Sequence, residues 1–286
     1  MIYLNGQFVA VEDAMISALD RGCLFGDGVY EVIPVYSRHP FRLRAHLSRL
    51  DNSLAAIALK NPYSQAAWEE LILHCIAKQS FEDQAVYLHI TRGCTLSRDF
   101  PFPKSIEPTV LIAPSPLIVP SKQEKLTGIK ALSHHDFRWL RCDIKSLNLL
   151  PAVLMRQLAQ QAGCGEVVLF RDGWLTEGAA SNIFLVKDGC LLGPPKSNLL
   201  LPGTTYDVVL ELAEKYQIKT EIRPISEDEV RLADELWMTS STKEILAIVE
   251  LDKQAIGSGK VGAWAKHFDT LYQTFKQHAI SQGGDA

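Results

Sequence analysis

The 286-residue sequence has no apolar run near the roughly 20 residues that cross a bilayer, which excludes a helical membrane protein. Its start, Met1-Ile2-Tyr3-Leu4-Asn5-Gly6, lacks the charged-then-apolar layout of an export signal, so the cytosol is the expected location. Its 33 acidic and 29 basic residues leave a formal charge of −4, with no long run of either sign. That excludes a nucleic-acid footprint. The six cysteines, Cys23, Cys75, Cys94, Cys142, Cys164 and Cys190, show neither the paired spacing of a zinc site nor a disulfide framework. They read as free thiols and no metal is expected. Cys142 lies three residues before Lys145, where a thiol could be reactive, although a buried inert cysteine is the commoner outcome. Repeats and low-complexity stretches are also missing. What remains, 47% hydrophobic and 22% charged residues, is an ordinary folded chain long enough for two modest domains.

Patterning predicts α+β architecture. Two β-prone arms joined by Asn5-Gly6 predict a hairpin with a type I′ turn. Residues 29–36 read as a strand, 44–59 and 66–78 as amphipathic helices, and 85–91 and 109–113 as buried strands. Between those two strands, residues 92–103 are rich in turn formers and read as an exposed loop, a common place for function. Pro114-Ser115-Pro116 and Pro120-Ser121 mark an interdomain linker, because each proline removes a donor and holds its predecessor extended. Beyond it, helices are predicted at 149–162, 206–216 and 261–277, and strands at 167–170, 182–186, 190–192 and 236–239. Asp172-Gly173 and Asp188-Gly189 supply turns. The cadence is irregular rather than strictly βαβ, which favours α+β over a doubly wound parallel sheet.

Four stretches could carry chemistry. Lys145, in Arg141-Cys142-Asp143-Ile144-Lys145-Ser146-Leu147-Asn148, lies between an apolar stretch and a helix start, a setting that favours the neutral amine needed for attack on an aldehyde. Thr176-Glu177-Gly178-Ala179-Ala180-Ser181-Asn182 packs one carboxylate among small residues, where a flat ring could approach and its protonated nitrogen be held. Leu201-Pro202-Gly203-Thr204-Thr205 and Thr239-Ser240-Ser241-Thr242 are rich in phosphate donors. Taken singly, each has a plainer explanation: a surface lysine, a glutamate in a tight turn, and two helix caps.

In this order, the segments resemble the class IV, or fold-type IV, aminotransferases, a family of pyridoxal 5′-phosphate enzymes that includes D-amino-acid aminotransferase, branched-chain aminotransferase and aminodeoxychorismate lyase. The resemblance begins at Tyr3-Leu4-Asn5-Gly6 and passes through Asp20-Arg21-Gly22, Phe25-Gly26-Asp27-Gly28-Val29-Tyr30-Glu31 and His46-Leu47-Ser48-Arg49-Leu50 to Gly262-Ala263-Trp264. Residues 138–150 and Gly28-Val29-Tyr30-Glu31-Val32 look most like the D-amino-acid aminotransferases.

The resemblance implies a two-domain fold, with an N-terminal α/β domain at 1–118 and a C-terminal, barrel-like, cofactor-binding domain at 119–286. It makes Lys145 the lysine that carries pyridoxal 5′-phosphate covalently and later shuttles the proton. It makes Glu177 the ring-nitrogen partner and Arg49, Thr205 and Ser241 phosphate ligands, assisted by Thr204 and Ser240, with Leu201 supporting the ring. Tyr30 and Arg98 become the substrate-carboxylate contacts. The subgroup usually follows its loop arginine by one residue and then a histidine that also grips the carboxylate. Here the order is Arg98-Asp99-Phe100, so that donor is missing. The implied activity is transamination of a D-alanine-like amino acid with 2-oxoglutarate or pyruvate by a homodimer. The alternatives are 4-amino-4-deoxychorismate lyase, releasing pyruvate and 4-aminobenzoate with the same lysine, and a catalytically idle binding protein that kept the fold.

Overall fold

Asn5 and Gly6 both take positive φ, 47° and 92°, the geometry a type I′ turn demands, and so close the first hairpin. A computed structural model describes residues 1–283 and divides them into two compact units. Unit 1 comprises Met1–Leu117, the short segment Ile144–Asn148 and the chain from His278 onward; unit 2 comprises Ile118–Asp143 and Leu149–Gln277.

Unit 1 contains β1 (Ile2–Leu4), β2 (Gln7–Val9), α1 (Arg21–Phe25), β3 (Gly28–Tyr36), β4 (His39–Pro40), α2 (Leu43–Ala56), α3 (Gln65–Ala77), β5 (Gln84–Thr91) and β6 (Thr109–Pro116). Among the described residues its strands form one six-stranded sheet in the order β2-β1-β6-β5-β3-β4. Alternation along β3 and β5 sends Val29, Ile33, Val86, Leu88 and Ile90 into the core. There they meet Leu43, Leu47, Leu50 and Leu54 of α2 at the three- and four-residue spacing of an apolar helical stripe. The linker expected from residue 114 starts later, because Pro114 and Pro116 complete β6 opposite Val86 and Gln84. Prolines are tolerated there because β1 covers β6 only at Leu111 and Ile112, leaving the strand end an edge.

Unit 2 contains α4 (Lys122–Thr127), β7 (Ile129–His135), α5 (Leu150–Gln161), β8 (Glu166–Arg171), β9 (Trp174–Gly178), β10 (Asn182–Lys187), β11 (Cys190–Gly193), α6 (Thr204–Lys215), β12 (Thr220–Ile222), α7 (Glu227–Arg231), β13 (Glu235–Ser240), β14 (Glu244–Leu251), β15 (Gln254–Ala255) and most of α8 (Ala263–Ser281). Its strands run β12-β11-β10-β13-β14-β7-β8-β9, with β15 on β14. β7 is parallel to β14 and β8, β12 is parallel to β11, and the other pairs are antiparallel.

This sheet must curl. β9 and β10 stand five places apart in strand order, roughly 24 Å on a flat sheet at about 4.8 Å per step. The three residues joining them reach at most about 14 Å, and Gly178 N donates to Ser181 O within that link. Curling brings the two strands together and places Glu177, at the end of β9, beside Asn182, at the start of β10. The interior is apolar, with Val168, Ile183, Leu185, Met238, Leu246 and Ile248 fully or almost fully buried. On the outside, Tyr206 of α6 stacks on Phe184 and Phe268 of α8 tilts against Trp237.

Candidate active site

In unit 1 the segment bearing Lys145 is laid along the start of β3. Lys145 N donates to Ser53 Oγ at 3.2 Å, its carbonyl accepts from Tyr30 N at 3.0 Å, and Leu147 N donates to Gly28 O at 3.0 Å. Gly28 permits this approach, since a Cβ there would stand 2.4 Å from Ile90 O and 2.7 Å from Leu147 Cδ1. With its backbone pinned, Lys145 places Nζ 4.3 Å from the centre of the Tyr30 ring.

One residue further along β3, alternation turns Glu31 inward. Its two carboxylate oxygens accept from Arg49 Nε at 2.7 Å and Nη2 at 2.8 Å, and His46 Nδ1 lies 2.8 Å from Oε2. Glu31 and His46 are 0% exposed. Burial pushes the Glu31 carboxyl up, but the Arg49 guanidinium and then His46 reverse this and hold it well below the usual range. Burial lowers His46 in spite of Glu31, so a neutral imidazole donates its Nδ1 hydrogen to the carboxylate. The sequence-predicted phosphate ligand Arg49 is therefore oriented side-on by Glu31, a partner that sequence reasoning missed.

Arg98 is exposed, its guanidinium 5.2 Å from the centre of the Phe25 ring. Its loop is anchored from below. Arg21 donates to the carbonyls of Asp99 and Phe100 at 2.7 and 3.0 Å and to Asp27 Oδ2 at 2.7 Å. Arg92 grips both oxygens of the same carboxylate, at 2.8 and 3.0 Å, and donates to the carbonyls of Ala58 and Ile57. Asp27 lies in the Phe25-Gly26-Asp27-Gly28 stretch, where nothing in the spacing announces two arginines 6 and 65 residues away.

In unit 2, Glu177 is buried and held at both oxygens. Oε1 accepts from Arg138 Nη1; Oε2 accepts from Leu201 N at 3.0 Å and Asn182 Nδ2 at 3.1 Å. Arg138 is itself gripped by Asp136, Nε to Oδ1 and Nη2 to Oδ2 at 2.9 Å each, and Asp136 also accepts from Thr176 Oγ1 and pairs with Arg171. Burial pushes Glu177 up to about 7; Arg138 opposes this only in part, since Asp136 already neutralises its charge. Leu201 thus contributes its amide as well as its half-buried side chain.

The two hydroxyl-rich stretches meet: Thr204 Oγ1 and Ser241 Oγ are 3.3 Å apart. Thr204 and Thr205 open α6 after Gly203, which provides no side-chain cap, and a helix start of this kind can receive an anion. Ser240 Oγ accepts from Lys243 N at 3.1 Å and shapes the turn that carries Ser241. Thr239 Oγ1 beside them is buried with no partner among the described residues. Cys142 is buried, donates to Trp139 O, and is pushed up to about 11 by burial, the profile of an inert thiol. All six cysteines are free thiols. Among the described residues no helix is long and apolar enough to cross a membrane.

Comparison with known proteins finds relatives along nearly the whole chain. The family profile described as amino-transferase class IV matches residues 28–251. D-alanine aminotransferase of Bacillus licheniformis is 36% identical over 272 residues, 95% of each chain. That of Staphylococcus aureus (strain MW2) is 34% identical over 281 residues, 98% of this chain and 99% of the relative. Among solved structures, a branched-chain amino acid aminotransferase of Escherichia coli superposes with a TM-score of 0.89 at 26% identity, covering 96% of this chain and 93% of that one. The branched-chain enzyme of T.th., solved with pyridoxamine 5′-phosphate, gives 0.87 at 25% identity over 95% and 92%. The chain belongs to the class IV aminotransferase family and is an aminotransferase of that family's two-domain α+β fold.

Proposed function

We propose that this chain binds pyridoxal 5′-phosphate and transfers the amino group of D-alanine, or a similar small D-amino acid, to 2-oxoglutarate or pyruvate. The observation that carries this reading is the amine of Lys145, set against the Tyr30 ring on a pinned backbone, in a chain 36% identical to a D-alanine aminotransferase along 95% of its length.

The residues present suit a phosphorylated pyridine aldehyde. Thr204, Thr205, Ser240 and Ser241 offer hydroxyls and helix-start amides to the phosphate, and Arg49 offers a guanidinium already oriented by Glu31. Buried Glu177, poised near 7, can share a proton with a ring nitrogen, and Leu201 supports the ring. When bound, the group supplies an electron sink for charge developing at the substrate's α-carbon. Lys145 would hold it covalently through Nζ and, with that amine free again, would take the proton from the substrate's α-carbon as general base and hand the same proton on to the cofactor as general acid. Tyr30 and Arg98 orient the substrate carboxylate. The same reading makes the chain a cytosolic homodimer acting on small amino and keto acids.

The test is consumption of D-alanine and 2-oxoglutarate with stoichiometric release of pyruvate and D-glutamate. Lys145→Ala is expected to abolish it, since both the covalent link and the proton shuttle go. Full activity in that variant would remove Lys145 from its role. Release of pyruvate from 4-amino-4-deoxychorismate without a keto acid, and no transfer from D-alanine, would move the assignment to the lyase.

A further inference from the structure

The face of the unit 1 sheet opposite its core carries a polar aromatic row of Tyr30, Tyr87 and His89, all half-buried. Tyr30 and His89 are directly opposed in the antiparallel register of β3 and β5. Side chains so paired have Cβ atoms about 5 Å apart, so the phenol and the imidazole stand side by side. Tyr87 completes the group, its ring centre 5.9 Å from that of Tyr30 and its hydroxyl 2.8 Å from His89 Nδ1. Lys145 Nζ reaches the same Tyr30 ring.

Burial pushes the Tyr87 phenol up to about 12, so it keeps its proton and can donate it to Nδ1. The hydrogen of the His89 ring then resides on Nε2. Burial also lowers His89, despite Asp20, which keeps the ring neutral. Among the described residues neither Nε2 of His89 nor the Tyr30 hydroxyl has a protein partner, and neither atom is sealed from solvent. Two neutral donors on adjacent side chains, close to a lysine amine, suit a ligand that only accepts and offers two oxygens: a carboxylate. The 97–100 loop, meanwhile, has Asp99-Phe100 after its arginine and no histidine.

We propose that His89 binds the substrate's α-carboxylate through Nε2–H beside the Tyr30 hydroxyl, supplying from the sheet the donor that the loop lacks, with Tyr87 as the positioning residue that fixes its tautomer. This rests on the transaminase reading above.

The test uses holoenzyme of the native sequence, His89→Leu, His89→Gln and Tyr87→Phe, with steady-state kinetics on D-alanine and calorimetric titration of propionate as an unreactive carboxylate. Losing a hydrogen bond to a charged group is expected to raise both the KM and the propionate dissociation constant of His89→Leu about 10- to 100-fold. Uniform binding being what is lost, kcat should hold within about threefold. His89→Gln, whose amide donates from a similar reach, should recover most of the loss, and Tyr87→Phe should fall between. Unchanged KM and propionate affinity in His89→Leu would overturn the proposal, as would a glutamine variant no better than leucine, which would mark a merely structural residue. Propionate binding that depends on His89 in a protein unable to transaminate any D-amino acid would support the donor role and overturn the functional reading instead.

Discussion

Arg138 and Glu177 share a buried hydrogen bond from Nη1 to Oε1, while the same guanidinium grips both oxygens of Asp136 at 2.9 Å. One cation thus serves two carboxylates, and Arg171 and Thr176 help Asp136 without touching Glu177. Replacing Arg138 by methionine keeps much of the volume and removes the charge. The expected cost is about 3–5 kcal/mol, because two buried acids lose their common partner. Glu177, freed of the group that opposes its burial, should move above its present value near 7. Denaturant unfolding and a carboxyl 13C titration of glutamate-labelled protein check the two effects separately.

Glu177 also makes stability depend on pH in a particular direction. Its folded value near 7 lies above the ordinary 4.5, so between these limits the unfolded chain has released a proton that the folded chain keeps. Stability therefore falls as pH rises through that window and levels off above it, a loss of about 3 kcal/mol from this group. Glu177→Gln removes it. Subtracting unfolding free energies of the cofactor-free variant from those of the cofactor-free native protein, from pH 4.5 to 8, should give a curve descending toward 7. A flat difference would show that Arg138, Asn182 and the Leu201 amide already hold the anion.

What the sequence disclosed was what local chemistry determines. Asn5-Gly6, Asp172-Gly173 and Asp188-Gly189 announce their turns because asparagine, aspartate and glycine tolerate positive φ; the turn at Ser37-Arg38 carries no such residue, and that at Asp252-Lys253 has the aspartate without the glycine. β14 went unread because Ile245-Leu246-Ala247-Ile248-Val249 is an uninterrupted apolar run, equally compatible with a buried helix. β7 was missed because Lys130, Ser133, His134 and His135 dilute its apolar alternation, and β9 was marked only by the Asp172-Gly173 turn that precedes it. Lys145 and Glu177 were legible as chemistry in small segments. Asp136, Arg138, Asn182 and Glu31 were not, since each acts through partners that only sheet closure or a strand-helix packing brings near.

Asp27 is the anchor of the loop that presents Arg98. Burial pushes its carboxyl up, but Arg92 and Arg21 prevail and hold it low, so it is ionised throughout the physiological range. Asp27→Asn leaves two buried guanidiniums without their counter-charge, and Arg21 no longer has a fixed stance from which to hold the carbonyls of Asp99 and Phe100. A loss of about 3–5 kcal/mol is expected, with faster tryptic cleavage after Arg98 than in the native protein under the same conditions. KM for D-alanine should rise more than kcat falls, since the role proposed for Arg98 is to orient the substrate and involves no proton transfer.

Gly203 separates cofactor retention from fold stability. Its φ of −72° and ψ of 136° are open to alanine, so the backbone is no obstacle. The obstacle is a side chain: an added Cβ would stand 2.0 Å from Asn182 Oδ1. Asn182 must then turn, and its Nδ2 is the group that donates both to Glu177 Oε2 and to Leu201 O. Gly203→Ala is expected to cost about 1–3 kcal/mol as an overpacked site. It should also weaken cofactor binding, because Glu177 loses one of its neutral donors. Adding Asn182→Ala relieves the clash without restoring that donor, so the double variant should regain stability relative to Gly203→Ala, yet release cofactor as fast in dialysis followed by absorbance. Recovery of both properties together would mean that Asn182 only fills space, and that Glu177 is held by Arg138 and the Leu201 amide alone.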